Sequence, residues 1–200
     1  MIKNIIFDVG DTLISFRYRD YMRDLGFSDE TVEFLVQNMI FTDFWEDMDA
    51  GKKDVDEACD FFCKKYPDLK NEIESFWEHI EDIVAEFDFA KPLIMSMKEK
   101  GYKVFLLSNY PAQLAELHWP KLSFLPEMDG YIISAKVGII KPDEKIYRML
   151  MDRYRLHAEE CVFIDDNPNN IEAANKLGIT GILFTGYEDL KKELDKLGTG

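Results

Sequence analysis

The chain has 200 residues, of which 46% are hydrophobic and 32% charged. This composition is typical of a globular domain and excludes a disordered, collagenous or low-complexity chain. The 39 acidic and 24 basic residues give a formal net charge of −15, which repels a phosphate backbone at long range and makes nucleic acid a poor partner. A small phosphorylated ligand is not excluded, because a metal ion and one lysine can invert the potential locally.

No segment approaches the roughly 18 apolar residues that a membrane-spanning helix needs. The apolar run at residues 5–7 is too short for the hydrophobic region of a signal peptide. Cys59, Cys63 and Cys161 form an odd set without metal-ligand spacing, which indicates free thiols in a reducing compartment. We therefore expect a cytoplasmic protein that does not bind membranes.

Short apolar segments alternate with helical patterns along the chain. Strands are predicted at residues 2–7, 104–107, 131–133, 161–164 and 181–184. Their nearly continuous hydrophobicity is typical of strands buried on both faces. Helices are predicted at residues 92–100, 143–154 and 168–177, with proline near their starts and glycine beyond two of their ends. This alternation predicts an α/β fold with a Rossmann-like, doubly wound parallel sheet.

Residues 15–89 interrupt this alternation. They show no convincing strand, but amphipathic helical patterns recur at residues 31–40, 55–65 and 71–86. We therefore predict a small all-helical insertion at 15–89 and a core domain made of 1–14 and 90–200. Because the insertion follows the first strand, it can lie over the carboxyl edge of the sheet, where open α/β folds bind ligands. Its position is typical of a cap.

Polar residues follow the ends of four predicted strands: Asp8 and Asp11, then Ser108 and Asn109, then Lys141, and finally Asp165 and Asp166. In a parallel sheet these ends share one edge, so the side chains should converge there. Grouped carboxylates repel one another unless a cation joins them, and hard oxygen ligands favour Mg²⁺ over zinc. With a lysine and a hydroxyl to hold phosphoryl oxygens, an aspartate can attack phosphorus. The residues therefore predict phosphoryl transfer through an aspartyl phosphate.

Each of these residues also has a purely structural interpretation. An aspartate at a strand end is often a turn residue, Lys141 fits a solvated loop, and residues 165–167 fit a helix cap before Pro168. The ordered set favours a site over these separate interpretations. We expect Asn169 and Asn170 to be cap and surface residues, and the three scattered histidines to serve in packing or on the surface.

Four segments together resemble the motifs of the haloacid dehalogenase (HAD) superfamily, in the same order: residues 7–13, 107–109, 141–142 and 163–167. The resemblance covers essentially the whole chain, because the insertion sits where that superfamily carries its helical cap. Residues 138–147 and 165–180 most resemble bacterial sugar-phosphate phosphatases of the α-D-glucose-1-phosphate phosphatase type. The resemblance implies Mg²⁺-dependent hydrolysis of a small phosphomonoester, and a sugar phosphate is the expected substrate.

The resemblance also implies roles for the residues that bind the metal. Asp8 would be both the nucleophile and a Mg²⁺ ligand, and the carbonyl of Gly10 a second ligand. Asp166 would be the third ligand, with Asp165 in support.

Further roles implied by the resemblance concern the phosphate. Ser108 and Asn109 would bind it, and Lys141 would neutralise it and orient the nucleophile. The implied partner is a small phosphorylated metabolite, and we expect the chain to be a monomer or a homodimer.

The chain departs from the superfamily at one catalytic position. Members usually carry a second aspartate two residues after the nucleophile as general acid and base, whereas this chain has Gly10 there and Asp11 one place later. Loss of a general acid ordinarily costs about 10²–10⁴-fold in rate. Three explanations remain open: Asp11 takes the role through a changed turn, the substrate has a good leaving group such as an anomeric oxygen, or the protein is a weak or inactive homologue.

Residues 47–52 resemble the glycine-containing cap loop that faces the active site in HAD phosphatases. A plain turn between helices is the alternative interpretation.

A different class of protein uses similar residues. A receiver-like binding module also combines an acid pair, a phosphorylated aspartate, a hydroxyl and a lysine, although the order of the motifs and the long insertion argue against it. A metal-free dehalogenase and a mutase are the alternatives among enzymes. The acidic trio at residues 8, 165 and 166 favours Mg²⁺ chemistry over dehalogenation.

Overall fold

The computed structural model describes residues 1–196 and 198. Its strands are β1 Asn4–Phe7, β2 Ile14–Phe16, β3 Val84–Glu86, β4 Lys103–Ser108, β5 Gly130–Ile133, β6 Cys161–Asp165 and β7 Thr180–Leu183. Five of them form a parallel sheet in the order β5-β4-β1-β6-β7, so that the first strand lies at its centre. All five predicted strands and the α/β fold class are confirmed.

The sheet is buried on both faces, as the apolar strand sequences predict. Ile5 and Phe7 of β1 pack in a layer that continues into the inserted helices. Ile6 of β1 packs in the opposite layer with Phe163 of β6 and Tyr147, whose ring meets that of Phe163 edge-on at 5.4 Å. Successive residues of one strand therefore support two different layers, and the strand cannot slip by one position without exposing both sets.

The helices lie between and around these strands: α1 Tyr18–Asp24, α2 Asp29–Leu35, α3 Asp43–Asp49, α4 Val55–Lys65, α5 Lys70–Glu78, α6 Ala90–Glu99, α7 Ala112–His118, α8 Ser134–Val137, α9 Glu144–Tyr154, α10 Pro168–Lys176 and α11 Tyr187–Lys196. Their starts have local causes; α4, for example, begins with a capping box between Asp54 and Glu57. The three helices predicted in the core domain correspond to α6, α9 and α10. Among the described residues, no helix has the length and apolar character needed to cross a membrane.

The prediction that residues 15–89 contain no strand is wrong. The strands β2 and β3 pair antiparallel at the two borders of the insertion, with Ile14 opposite Glu86 and Phe16 opposite Val84. Each strand has three residues, which is too short to show an alternating pattern in the sequence, and its partner is distant along the chain. The insertion is therefore helical between its borders but enters and leaves through a two-stranded ribbon.

The loop after α3 is attached to the core domain by tight contacts. The Ser134 hydroxyl donates a hydrogen bond to the carbonyl of Asp49 (2.6 Å) and accepts one from the backbone N–H of Tyr110 (2.9 Å). Gly51 has a positive φ of 70°, and a Cβ on it would lie 2.4 Å from the carbonyl oxygen of Ala135. Only glycine fits that approach, so the inserted segment is held against the core at this loop.

Truncating a side chain at the centre of the sheet should show how strongly this core supports the fold. Leu106 of β4 is fully buried, and Leu106→Ala should lower the free energy of unfolding by about 2–5 kcal/mol through lost burial and the cavity left behind. Leu183 on the edge strand β7 is 42% exposed, and Leu183→Ala should cost much less. Urea unfolding of both variants measures the difference. Equal losses would contradict the assignment of the core.

Candidate active site

The carboxyl ends of three neighbouring strands bring the predicted site residues to one edge of the sheet. Asp8 directly follows β1, Ser108 ends β4, and Asp165 ends β6. The backbone N–H of Asp8 donates to the carbonyl of Ile164 (2.8 Å), which keeps its side chain in register with the end of the neighbouring strand. Asp8, Ser108 and Asp165 are all buried, so together they form a polar patch at the edge of the apolar core.

Lys141 reaches into this patch from the loop between α8 and α9. Its ammonium lies 2.8 Å from Oδ1 of Asp8 and 2.6 Å from Oδ2 of Asp165, and its side chain is only 1% exposed. Burial opposes its charge, but the two carboxylates outweigh that effect and raise the pKa of Lys141. Burial also raises the pKa of Asp8, and the ammonium acts in the opposite direction by favouring the ionised carboxylate.

Asn109 holds the backbone that carries Lys141. Its side-chain oxygen accepts a hydrogen bond from the N–H of Lys141 (2.8 Å), and its amide nitrogen donates to the carbonyl of the same residue (3.0 Å). The amide oxygen and one of the two N–H groups of the amide are therefore used within the protein. A contact of Asn109 with phosphate can come from the second side-chain N–H or from the backbone N–H.

Asp165 is fully buried and accepts hydrogen bonds from several groups. Besides Lys141, they are the backbone N–H of Asn167 (2.8 Å) and the side-chain amide of Asn170, which lies 3.0 and 3.1 Å from the two carboxylate oxygens. The prediction that Asn170 is a surface residue is wrong, since it is 6% exposed and orients the carboxylate. The sequence hides this role, because residue 170 lies in the first turn of α10 like any capping residue.

The acidic residues can hold a divalent cation. Asp8, Asp165 and Asp166 each present a carboxylate oxygen, and these atoms lie within 4.8 Å of one another. Asp166 as a residue is exposed. Partial desolvation of its carboxylate, together with the charges of Asp165 and Asp11, raises its pKa to about 6. Three carboxylates beside one ammonium leave an excess of negative charge, which a hard cation would compensate. The donor set therefore fits Mg²⁺, with Asp166 less committed to protein hydrogen bonds than its neighbour.

The predicted residue Asp11 lies outside this cluster, in the turn that follows β1. It has a positive φ of 49°, and its Oδ1 accepts a hydrogen bond from the backbone N–H of Phe16 (3.1 Å). The carboxylate thus stabilises the turn into β2, as aspartate commonly does. The Phe16 ring also covers Gly10, where an added Cβ would lie 2.8 Å from the ring.

A cavity of about 160 Å³ lies in the insertion, beside the turn that follows β1. Asp11 lines one side of it, while Phe16, Phe41, Trp45 and Ile83 make the rest of its wall mostly apolar. Part of the aromatic content of the insertion therefore lines a space near the catalytic edge, and part packs between helices, as the stacked pair of Trp45 and Trp77 shows.

Asp49, the last residue of α3, belongs to the segment 47–52 that resembles the cap loop of HAD phosphatases. Its Oδ1 is buried and accepts no hydrogen bond from the described residues. Burial and the charge of Asp8 raise the pKa of Asp49 to about 7, with Lys141 opposing and Glu46 adding a smaller effect. Nothing in the sequence distinguishes Asp49 from its acidic neighbours; the nearby Gly51 is the signal that this segment approaches the core.

A buried lysine between aspartates at a parallel sheet edge, under a helical insertion, defines a hydrolase of the HAD type. The chain belongs to the haloacid dehalogenase-like hydrolase family, which it matches over residues 2–178. This confirms the family expected from the four motifs.

Several curated relatives are phosphatases. A sesquiterpene phosphatase of Aspergillus oryzae is 26% identical over 191 residues, covering 92% of this chain and 90% of that protein. A glyceraldehyde 3-phosphate phosphatase of Methanocaldococcus jannaschii is 26% identical over 223 residues, covering 96% and 90%. The chain spans only 37% of the length of drimenol cyclase drtB of Aspergillus calidoustus, to which it is 24% identical.

Solved structures show the same fold. A HAD family enzyme from Bacteroides thetaiotaomicron has a TM-score of 0.74 and 21% identity, covering 96% of this chain and 98% of that one. A complex of that enzyme with magnesium and inorganic phosphate has a TM-score of 0.70 and 20% identity, covering 95% and 99%. L-2-haloacid dehalogenase from Xanthobacter autotrophicus has a TM-score of 0.71 and 15% identity, covering 100% and 85%.

Removing the buried ammonium should destabilise the fold. In Lys141→Met, Asp8 and Asp165 lose their shared counter-charge, and in the presence of EDTA we expect a loss of about 3–5 kcal/mol in the free energy of unfolding. Lys145→Met is the matched control, because that side chain is 77% exposed and should contribute less than about 0.5 kcal/mol. Urea unfolding measures both. A loss below about 1 kcal/mol for Lys141→Met would show that the ion triad does not support the structure.

Proposed function

We propose that the protein is a Mg²⁺-dependent phosphomonoesterase that works through an aspartyl-phosphate intermediate. The observation that carries this proposal is the ammonium of Lys141 held within 2.8 Å of Asp8 and 2.6 Å of Asp165 at the carboxyl edge of the sheet. A carboxylate whose ionised form is favoured by an adjacent ammonium is suited to attack phosphorus. Bound Mg²⁺, held by Asp8, Asp166 and the Gly10 carbonyl with Asp165 in support, would neutralise phosphate charge.

The protein's own residues account for the remaining parts of the reaction. The Asp8 carboxylate attacks phosphorus, the ester oxygen leaves, and water then hydrolyses the aspartyl phosphate. Lys141 orients Asp8 and stabilises the phosphoryl oxygens, with the Ser108 hydroxyl and the Asn109 backbone N–H as further donors. The inserted helices, attached at Gly51, exclude bulk water from the site.

The substrate we propose first is a sugar phosphate, as in the α-D-glucose-1-phosphate phosphatase type. Support comes from the sequence segments at 138–147 and 165–180 and from the phosphorylated triose named as the substrate of the Methanocaldococcus relative.

An apolar phosphate ester is the second candidate. The mostly apolar cavity beside Asp11, with Phe41 and Trp45 in its wall, favours it. The relative from Aspergillus oryzae, which is named as a sesquiterpene phosphatase, also supports this candidate. In either case we propose a cytoplasmic enzyme, monomeric or homodimeric, that acts on a small metabolite and not on nucleic acid.

Phosphate release from a panel of monoesters tests the proposal. We expect the wild-type protein to release phosphate from sugar or isoprenoid monophosphates only when Mg²⁺ is present, and EDTA to abolish release. Asp8→Asn should lower the rate to background, because an amide does not replace the nucleophilic carboxylate. Asp143→Asn changes an exposed aspartate at the start of α9 and should leave the rate unchanged.

Other outcomes would assign the protein to a different class. Release that persists in Asp8→Asn would contradict the covalent mechanism. No release from any monoester, combined with Mg²⁺-dependent binding of phosphate, would indicate an inactive homologue or a receiver-like binding module.

A further inference from the structure

The position two residues after the nucleophile does not supply a proton in this chain. Gly10 occupies it, and the ring of Phe16 fills the space where a side chain would extend, 2.8 Å from the Cβ that a larger residue would carry. Phe16 in turn packs against Tyr110 with ring centroids 5.6 Å apart. An acid that assists the leaving oxygen would therefore come from another position in the chain.

Asp11 is poorly placed to take over. Its backbone lies in the left-handed region, and its Oδ1 accepts a hydrogen bond from the N–H of Phe16. Moving Oδ1 toward a leaving group would break the contact that closes the turn between β1 and β2. The turn therefore restrains Asp11.

Asp49 has the opposite properties. Its backbone carbonyl accepts a hydrogen bond from the Ser134 hydroxyl. The same hydroxyl accepts a hydrogen bond from the backbone N–H of Tyr110, which directly follows Ser108 and Asn109 in the chain. Its side-chain Oδ1 is nonetheless buried with no hydrogen bond from the described residues. A buried, unpaired carboxyl oxygen is costly, so a ligand that donates a hydrogen bond to it would be favourable.

The charges around Asp49 show which groups it faces. Asp8 and Lys141 lie on the core side, and Glu46 lies on its own helix. Tyr110 faces it from the loop after β4, since the charge of Asp49 acts on the phenol. Asp49 is therefore close enough to Asp8 and Lys141 for their charges to act on it, and Ser134 links its backbone to the loop that follows Ser108 and Asn109.

We propose that Asp49 is the general acid and base of the reaction, supplied by the inserted segment in place of a residue at position 10. This inference rests on the proposed phosphatase function. In the first half-reaction a bond forms between Asp8 and phosphorus, the bond from phosphorus to the ester oxygen breaks, and that oxygen takes the Asp49 proton. In the second, Asp49 takes a proton from the attacking water as the bond between Asp8 and phosphorus breaks.

The buried setting suits this role. Burial disfavours the charged form of the Asp49 carboxyl, and a carboxyl that holds its proton can donate it to the leaving oxygen. Its Oδ1 has no internal donor to give up when it binds the leaving oxygen.

Leaving-group dependence tests the proposal. The values of kcat/KM are measured for wild type and Asp49→Asn with a series of aryl phosphates, from 2,4-dinitrophenyl phosphate to phenyl phosphate, and with an alkyl phosphate. A general acid matters little when the leaving oxygen is already a weak base. We therefore expect Asp49→Asn to lose about 10²–10⁴-fold on alkyl phosphate and little on 2,4-dinitrophenyl phosphate.

Two controls separate this role from others. Asp47→Asn changes an acid of the same loop that pairs with Lys52 on the surface, and it should leave the whole series unchanged. Asp49→Asn is nearly isosteric, and its unfolding midpoint should match that of wild type because no internal hydrogen bond is lost.

The remaining results contradict the inference. Equal losses on all leaving groups would make Asp49 a structural or binding residue, and no loss would exclude it from the reaction. Failure of the wild-type protein to hydrolyse even 2,4-dinitrophenyl phosphate with Mg²⁺ would instead contradict the proposed function itself.

Discussion

The ion triad of Lys141, Asp8 and Asp165 is the constraint on which the rest of the site depends. An ammonium withdrawn from water costs several kcal/mol unless partners surround it, so this lysine is stable here only if both carboxylates are already in place. They are in place because β1 and β6 pair in parallel, with Phe7 opposite Ile164, and each strand then presents an aspartate at the next position. The fold thus brings two carboxylates that repel each other close together, and the ammonium of Lys141 compensates their charge.

The sequence predicts the sheet and the residues at its edge because their causes are local. Buried strands carry continuous apolar runs, and an aspartate that ends such a run must emerge at the carboxyl edge. Features that depend on long-range contacts escape such reasoning. The ribbon of β2 and β3 joins distant three-residue segments, and Asn170 differs from Asn169 only in the side of α10 that it occupies. Asp49 is one of several acids in its loop until Ser134 fixes its carbonyl.

The substitution at position 10 illustrates how packing decides chemistry. Phe16 lies over Gly10, contacts Tyr110 and lines the cavity, so one aromatic side chain joins the loop after the nucleophile to the base of the insertion. A carboxylate at position 10 would need space that this ring occupies. The absence of an aspartate at position 10 is therefore consistent with its surroundings, because the apolar ring of Phe16 lies where that carboxylate would be.

An acid carried by the inserted segment has a mechanical consequence that an acid on the core loop lacks. If the insertion opens to admit substrate, Asp49 moves away from Asp8, and the proton needed by the leaving oxygen moves with it. Chemistry would then be possible only when the contact of Gly51 with Ala135 has formed. Closure would exclude water and deliver the proton in one step, which links the choice of substrate by the insertion to the rate of phosphorus–oxygen bond cleavage.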